Sequence, residues 1–141
     1  AQIEPITVPM MRLDDVVEVR QVDLIKIDVE GAELGVLRGS GGVVSRSRPV
    51  IFFESGPGEG PAMGYPLDAL FDWFAARKYE VFVPNRVAHD GPPLTRDAFI
   101  DAHYYPFRSL NFFAIPSERR TEVRDRARIA MGILPATHGD P

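Results

Sequence analysis

The feature that most constrains this chain is the stretch Val22–Glu33, VDLIKIDVEGAE. Strand alternation puts Val22, Leu24, Lys26 and Asp28 on one face and Asp23, Ile25, Ile27 and Val29 on the other. Both faces are largely apolar in the middle, which predicts a strand covered on both sides, as in a parallel sheet. Gly31 then allows a tight turn, and Ala32–Arg38 reads as a short helix with Leu34 and Leu37 turned inward and Gly39 as its stop.

The same grammar recurs downstream. Pro49–Glu54 predicts a second buried strand, with proline at its start, where the lost donor matters least. Tyr65–Lys78 is the clearest helix: Leu67, Leu70, Phe71 and Phe74 fall at i, i+3, i+4 and i+7, and Pro66 sits near its start. Tyr79–Val83 and Leu110–Ile115 read as further strands. Ser117 is placed to cap a last helix, Glu118–Met131, with Val123, Ala127, Ala130 and Met131 inward and its five arginines mostly on a solvated face. Glu122 and Arg126 are spaced for an i,i+4 pair. Upstream, Ile6–Met10 reads as a strand or strand end. Leu13–Val19 reads as a helix with Asp14 and Asp15 in its first turn. Val43–Ser47 adds a helical turn, Arg86–Phe107 is a long irregular segment, and the tail from Pro135 is expected to fray. Strands alternating with helices, then two strands joined only by a long loop, predict one α/β domain over residues 1–134. Its sheet is expected to be mostly parallel, with an antiparallel pair at the end.

Composition narrows the function classes. A chain of 141 residues suffices for one domain with a sizeable core. Its net charge of −4 gives no electrostatic basis for binding nucleic acid or an anionic membrane. There is no cysteine, which removes disulfides and thiolate metal sites. The apolar runs are far shorter than the ~20 residues that span a bilayer, and no signal-peptide pattern opens the chain. A cytoplasmic location is expected. The opening residues, from Ala1, read as mid-domain sequence, so a fragment of a larger domain is expected.

The chemistry-bearing residues follow from the strands. Asp28 and Glu30 lie just past the carboxyl end of the first buried strand, and Glu54 ends the second. In open α/β sheets, ligands bind in the crevice outside those ends. If the two strands are parallel neighbours, Asp28 and Glu54 open onto one crevice, where a carboxylate can accept a hydroxyl proton or orient a cation. The plainer alternatives are that Glu30 caps the following helix, Asp28 pairs with Lys26, and Glu54 faces solvent. His103, Tyr104, Tyr105 and Arg108, in the loop before the last strand, are candidates for shaping a substrate pocket. His103 is either a base near neutral pH or a surface histidine beside packing aromatics. Val50–Gly60, VIFFESGPGEG, has the form of a strand followed by a ligand-binding glycine loop. Pro61, Gly64 and Pro66 interrupt the helix such a loop should enter, which favours a connector or lid. No metal-ligand spacing, G-x-S-x-G or phosphate loop is present.

VDLIKIDVEGAELGVLRG, followed by RPVIFFE and later by NFFAIP, resembles the FkbM family of S-adenosylmethionine-dependent methyltransferases. The matching pieces are Leu13-Asp14-Asp15, Val22–Gly39, Arg48–Glu54 and Asn111–Pro116. The resemblance implies the C-terminal half of a Rossmann-like methyltransferase whose full strand order is 3-2-1-4-5-7-6. Val22–Val29 would then be strand 4, Pro49–Glu54 strand 5, Tyr79–Val83 strand 6 and Leu110–Ile115 the antiparallel strand 7. It implies O-methylation of a hydroxyl on a sugar-like or natural-product-like small molecule, with S-adenosylmethionine as cofactor. Carried onto this sequence, Asp28, Glu30 and Glu54 take catalytic positions, Asp28 also faces the cofactor, and Asn111 heads the last strand on the substrate side. Strands 1 to 3, with their glycine-rich turn, have no counterpart before Leu13, so the main cofactor-binding half is expected to lie outside this chain. Two other readings stand beside this one. The chain could be a non-enzymatic α/β module that pairs with a second copy through the open edge of Val22–Val29. It could instead be a phosphoryl-transfer protein using LIKIDVEG as a Walker-B-like strand.

Overall fold

The computed structural model describes residues 4–18, 21–106 and 108–133. The expected frayed tail from Pro135 lies outside these. Four strands, β1 (Leu24–Ile27), β2 (Val50–Glu54), β3 (Tyr79–Phe82) and β4 (Asn111–Pro116), form one sheet in the order β1–β2–β4–β3. β1 and β2 are parallel, whereas β4 runs against both β2 and β3. Three strands therefore share a direction and the last opposes them, a mixed α/β sheet.

Strand alternation divides the core into two. Ile27, Ile51, Phe53, Val81, Phe112 and Ala114 point to one face, where they meet Leu34 and Leu37 of α2 (Glu33–Arg38) and Leu70, Trp73 and Phe74 of α5 (Asp68–Ala75). α3 (Gly41–Ser47) adds Val44 to this cluster. Val50, Phe82 and Ile115 point to the other face and meet Val123 and Ala127 of the last helix, α7 (Arg120–Ala130). That second face is covered only toward β3 and β4. Over β1 it is open, and Leu24 is 59% exposed. The sequence pattern predicted a strand covered on both sides; among the described residues β1 is an edge strand covered on one.

Other differences have local causes. Ile6–Met10 forms no strand, and Ile6, Val8 and Met10 stay exposed. Of the expected helix Leu13–Val19, a single turn, α1 (Leu13–Val16), is present. Asp14 caps a different helix instead: its carboxylate accepts from the amides of Gly42 (2.9 Å) and Val43 (2.8 Å) in the first turn of α3. Those bonds, with the Arg12 and Arg46 charges, hold its pKa below the usual carboxylate value despite some burial. Asp14→Ala should therefore cost about 1 kcal/mol, read as a lower urea midpoint at unchanged m-value.

The irregular segment Arg86–Phe107 contains α6 (Arg96–Asp101), capped by Thr95, whose hydroxyl accepts from Ala98 N at 3.2 Å. A short turn, α4 (Glu59–Ala62), lies within the glycine-rich loop. The arginines of α7 are not simply a solvated face. Arg120 and Arg128 donate to the carbonyls of Val87 (2.7 Å) and Ala88 (2.8 Å), Arg124 and Arg128 pair with Asp90, and Arg119 donates to Arg48 O. Arg120, Arg124 and Arg128 fasten α7 to the loop that follows β3, and Arg119, just before the helix, ties to the chain entering β2. The anticipated Glu122–Arg126 pair is present at 3.5 Å.

Candidate active site

The parallel register of β1 and β2 ends at Ile27↔Phe53, so Asp28 and Glu54 stand side by side one step further on. Both project to the open face, by strand alternation with Lys26 and Phe52. Across the next ladder Glu54 lies opposite Asn111, the first residue of β4. The two carboxyl groups hydrogen-bond to each other, and Lys26 Nζ contacts Asp28 Oδ2 at 2.6 Å. Lys26 holds the Asp28 pKa below the usual carboxylate value. Asp28 does the reverse to Glu54: as the hydrogen-bond acceptor for the protonated Glu54 carboxyl it raises that pKa, and partial burial and the charges of Asp28, Glu59 and Glu30 add to this. When the pair takes up a proton it goes to Glu54 first, and Asp28 stays ionised beside its lysine; once that proton is lost, Glu54 is a carboxylate with a raised affinity for one. The Asp28–Lys26 pair is present, and Asp28 and Glu54 stand side by side in the same arrangement.

The turn behind the rim is held by a residue that sequence reasoning passed over. Glu30 takes a left-handed backbone (φ 52) and stays exposed, and it caps nothing. Glu33 does the fastening from a buried position, 1% exposed. One of its carboxyl oxygens accepts from the amides of Val29 (3.3 Å) and Gly31 (3.2 Å). Tyr65 Oη donates to Gly31 O (2.7 Å) and to the second Glu33 oxygen (3.3 Å). Burial and the Glu33 charge push the Tyr65 hydroxyl up to about 12, so it remains a donor. Gly31 is required here: its φ is 100, and a Cβ would lie 2.9 Å from the Glu59 carbonyl oxygen. The glycine-rich loop thus packs directly on the rim turn, and Gly56 N donates to the Glu59 side chain at 2.8 Å.

A sequence model described as the methyltransferase FkbM domain matches residues 1–81. The chain belongs to the FkbM methyltransferase family. No match was found among curated proteins or among solved structures. The matched range contains Asp28, Glu30, Gly31, Glu33 and Glu54, the whole rim except Asn111.

In this FkbM-family chain His103 is neither a free base nor a surface residue. It is 1% exposed, stacked on Phe112 and edge-on to Phe99. Its Nδ1 lies 2.7 Å from Phe99 O, and its Nε2 lies 2.9 Å from Ser55 Oγ. A carbonyl can only accept, so we assign the proton to Nδ1; Ser55 then donates to Nε2. The pair ties α6 to the residue that follows Glu54. Tyr104, next in sequence, is 51% exposed. The structure therefore brings Asp28, Glu54 and Asn111 together, sets Glu30 near them, ties His103 to the residue after Glu54 and leaves Tyr104 exposed. Among the described residues no group of three or more His, Cys, Asp or Glu is arranged to hold a metal ion, and no helix is long and apolar enough to cross a membrane.

Burial depresses the His103 pKa below its ordinary 6.5, against weaker opposing effects from the backbone of Phe99 and Ile100 and the Glu59 charge. The folded state thus holds this imidazole neutral. The unfolded chain takes up the proton first as pH falls below 6.5. The associated stability is fully present above that value and is lost below it, until the folded-state pKa is reached. We expect the thermal midpoint to drop between pH 7 and 5. A His103→Gln variant, less stable at pH 7, should lose part of that slope; equal slopes would contradict the assignment.

Proposed function

We propose that this chain forms the substrate side of an S-adenosylmethionine-dependent O-methyltransferase, acting on a hydroxyl of a sugar-like or natural-product-like small molecule. The observation that carries this is the Asp28–Glu54 pair, at the carboxyl ends of adjacent parallel strands, in a chain of a methyltransferase family. The bound cofactor supplies a methyl group already activated on a sulfonium, so the protein's tasks are positioning and proton removal. Glu54, whose affinity for a proton is raised by Asp28, takes the proton of the acceptor hydroxyl. Asp28, kept ionised by Lys26, offers negative charge to the cationic cofactor. Asn111, opposite Glu54, orients the acceptor, and Glu30 adds negative charge at the margin. His103 acts through Ser55 as a positioning residue.

In this reading β1, β2, β3 and β4 are strands 4, 5, 6 and 7 of the Rossmann-like order 3-2-1-4-5-7-6. The edge position of β1 and its uncovered face support it, because strand 1 of such a sheet pairs there. The main cofactor-binding strands then join at that edge, and the residues of this chain touch the cofactor from one side only. The test is transfer of tritiated methyl from S-adenosylmethionine to a panel of hydroxylated acceptors, with those strands present. Label recovered as a methyl ether is expected. Label on nitrogen only, or no transfer to any acceptor class, would overturn the reading.

A further inference from the structure

A cleft of about 560 Å³ opens beyond the carboxyl end of β3, between the turn Pro84–Arg86, α6 and the segment that enters β4. Part of its wall is apolar, from Leu94 and Ala98. Two arginines are on its lining: Arg86 from the turn and Arg108 from the segment before β4. Neither makes a side-chain hydrogen bond or ion pair with any described residue. This sets them apart from Arg48, Arg119, Arg120, Arg124 and Arg128, each of which is bound to a carboxylate or a carbonyl. A lone unpaired arginine is ordinary surface; two lining one concave, partly apolar cleft are a recognition feature.

The acid on the same lining is Asp101, which leaves the cleft with an excess of one positive charge. A single anionic group on the ligand balances it. The segment that carries Arg108 continues into Asn111, opposite Glu54, so one short stretch of chain borders both the cleft and the carboxylate rim.

We propose that this cleft binds the anionic end of the acceptor: a hydroxylated molecule with an apolar body and a carboxylate or phosphate group, held by Arg86 and Arg108. The proposal rests on the methyl-transfer reading of the rim and adds the substrate class. Guanidinium forks match planar carboxylates and phosphates alike, so the chemistry is shared and the probes must separate the two.

The experiment is an NMR titration of the ¹⁵N-labelled chain with 4-hydroxybenzoate, phenyl phosphate and, as neutral control, 4-hydroxybenzamide. At least one anion should shift the amides of Asn85, Ala98 and Ser109, while the benzamide leaves them in place. Which anion binds tighter assigns the acceptor to the carboxylate or the phosphate class. Affinity should fall about tenfold in the Arg86→Gln/Arg108→Gln double variant and rise in Asp101→Asn. Equal binding of the benzamide, undiminished binding by the double variant, or no shift with any probe would overturn the proposal. If the double variant does not fold, the comparison of benzoate with benzamide decides alone. The titration reads binding without methyl transfer. Anion binding without methyl transfer therefore defeats only the rim reading, and methyl transfer without anion binding defeats only the cleft.

Discussion

Replacing Glu54 with glutamine should lower kcat for methyl transfer by about 100- to 10,000-fold, the usual contribution of a positioned base. The substitution keeps the size of the side chain and its place opposite Asn111, so substrate affinity should change much less. Asp28→Asn separates the roles further. Asp28 is the main cause of the raised Glu54 pKa, by hydrogen bond and by charge. Removing its charge lets that pKa fall toward the ordinary carboxylate value, so the acidic limb of the pH–rate profile should move to lower pH. An unchanged limb in Asp28→Asn, or near-normal kcat in Glu54→Gln, would show that the pair does not handle the proton.

Glu33→Ala should destabilise the fold by about 2–4 kcal/mol, because it removes the acceptor for two backbone amides and shares in the Tyr65 bond. A buried donor left without a partner costs more than the net worth of the bond it lost. The Gly31 amide makes its bond to Glu33 in a buried position. Glu33→Gln keeps an acceptor oxygen at the turn and should lose clearly less. Urea unfolding of the two variants measures the difference. A Glu33→Ala variant within about 0.5 kcal/mol of the parent, the range of an unremarkable surface change, would mean that the turn is held by other groups.

The contrast between Glu30 and Glu33 shows where sequence reading stopped. Both acids lie near the helix start, and only the backbone separates them. Glu30 enters the left-handed region before Gly31, which turns its side chain outward, and Glu33 then folds back under the turn. β2 and α5 were legible because their burial follows a fixed period: Ile51 and Phe53 in the strand, Leu70 and Phe74 in the helix. The open face of β1 was not, because Leu24 and Lys26 do not record what lies over them. α6 was hidden by its brevity and by Pro92-Pro93 just upstream. The Thr95 cap and the spacing of Ala98, Phe99 and Ala102 were the available signals. His103 reads as a surface residue until its partner, Ser55, arrives from a distant strand end. The α7 arginines read as solvated because their partners are backbone carbonyls of a loop, which leave no mark in the sequence. Asp28 and Glu54 were found from strand ends, and Asn111 from the family resemblance. Their side-by-side placement needed only that β1 and β2 be parallel neighbours and that β4 lie antiparallel beside β2.

The central claim is that the end of β1 forms one side of the cofactor crevice. Titrating S-adenosylhomocysteine to millimolar concentration into the ¹⁵N-labelled chain tests it most directly, because NMR shifts register even weak, one-sided contact. The amides of Asp28, Val29 and Gly31 should move in a concentration-dependent way, and Asp28→Asn should weaken the response. Shifts confined to the glycine loop from Gly56 to Gly60, or none at the end of β1, would contradict the account.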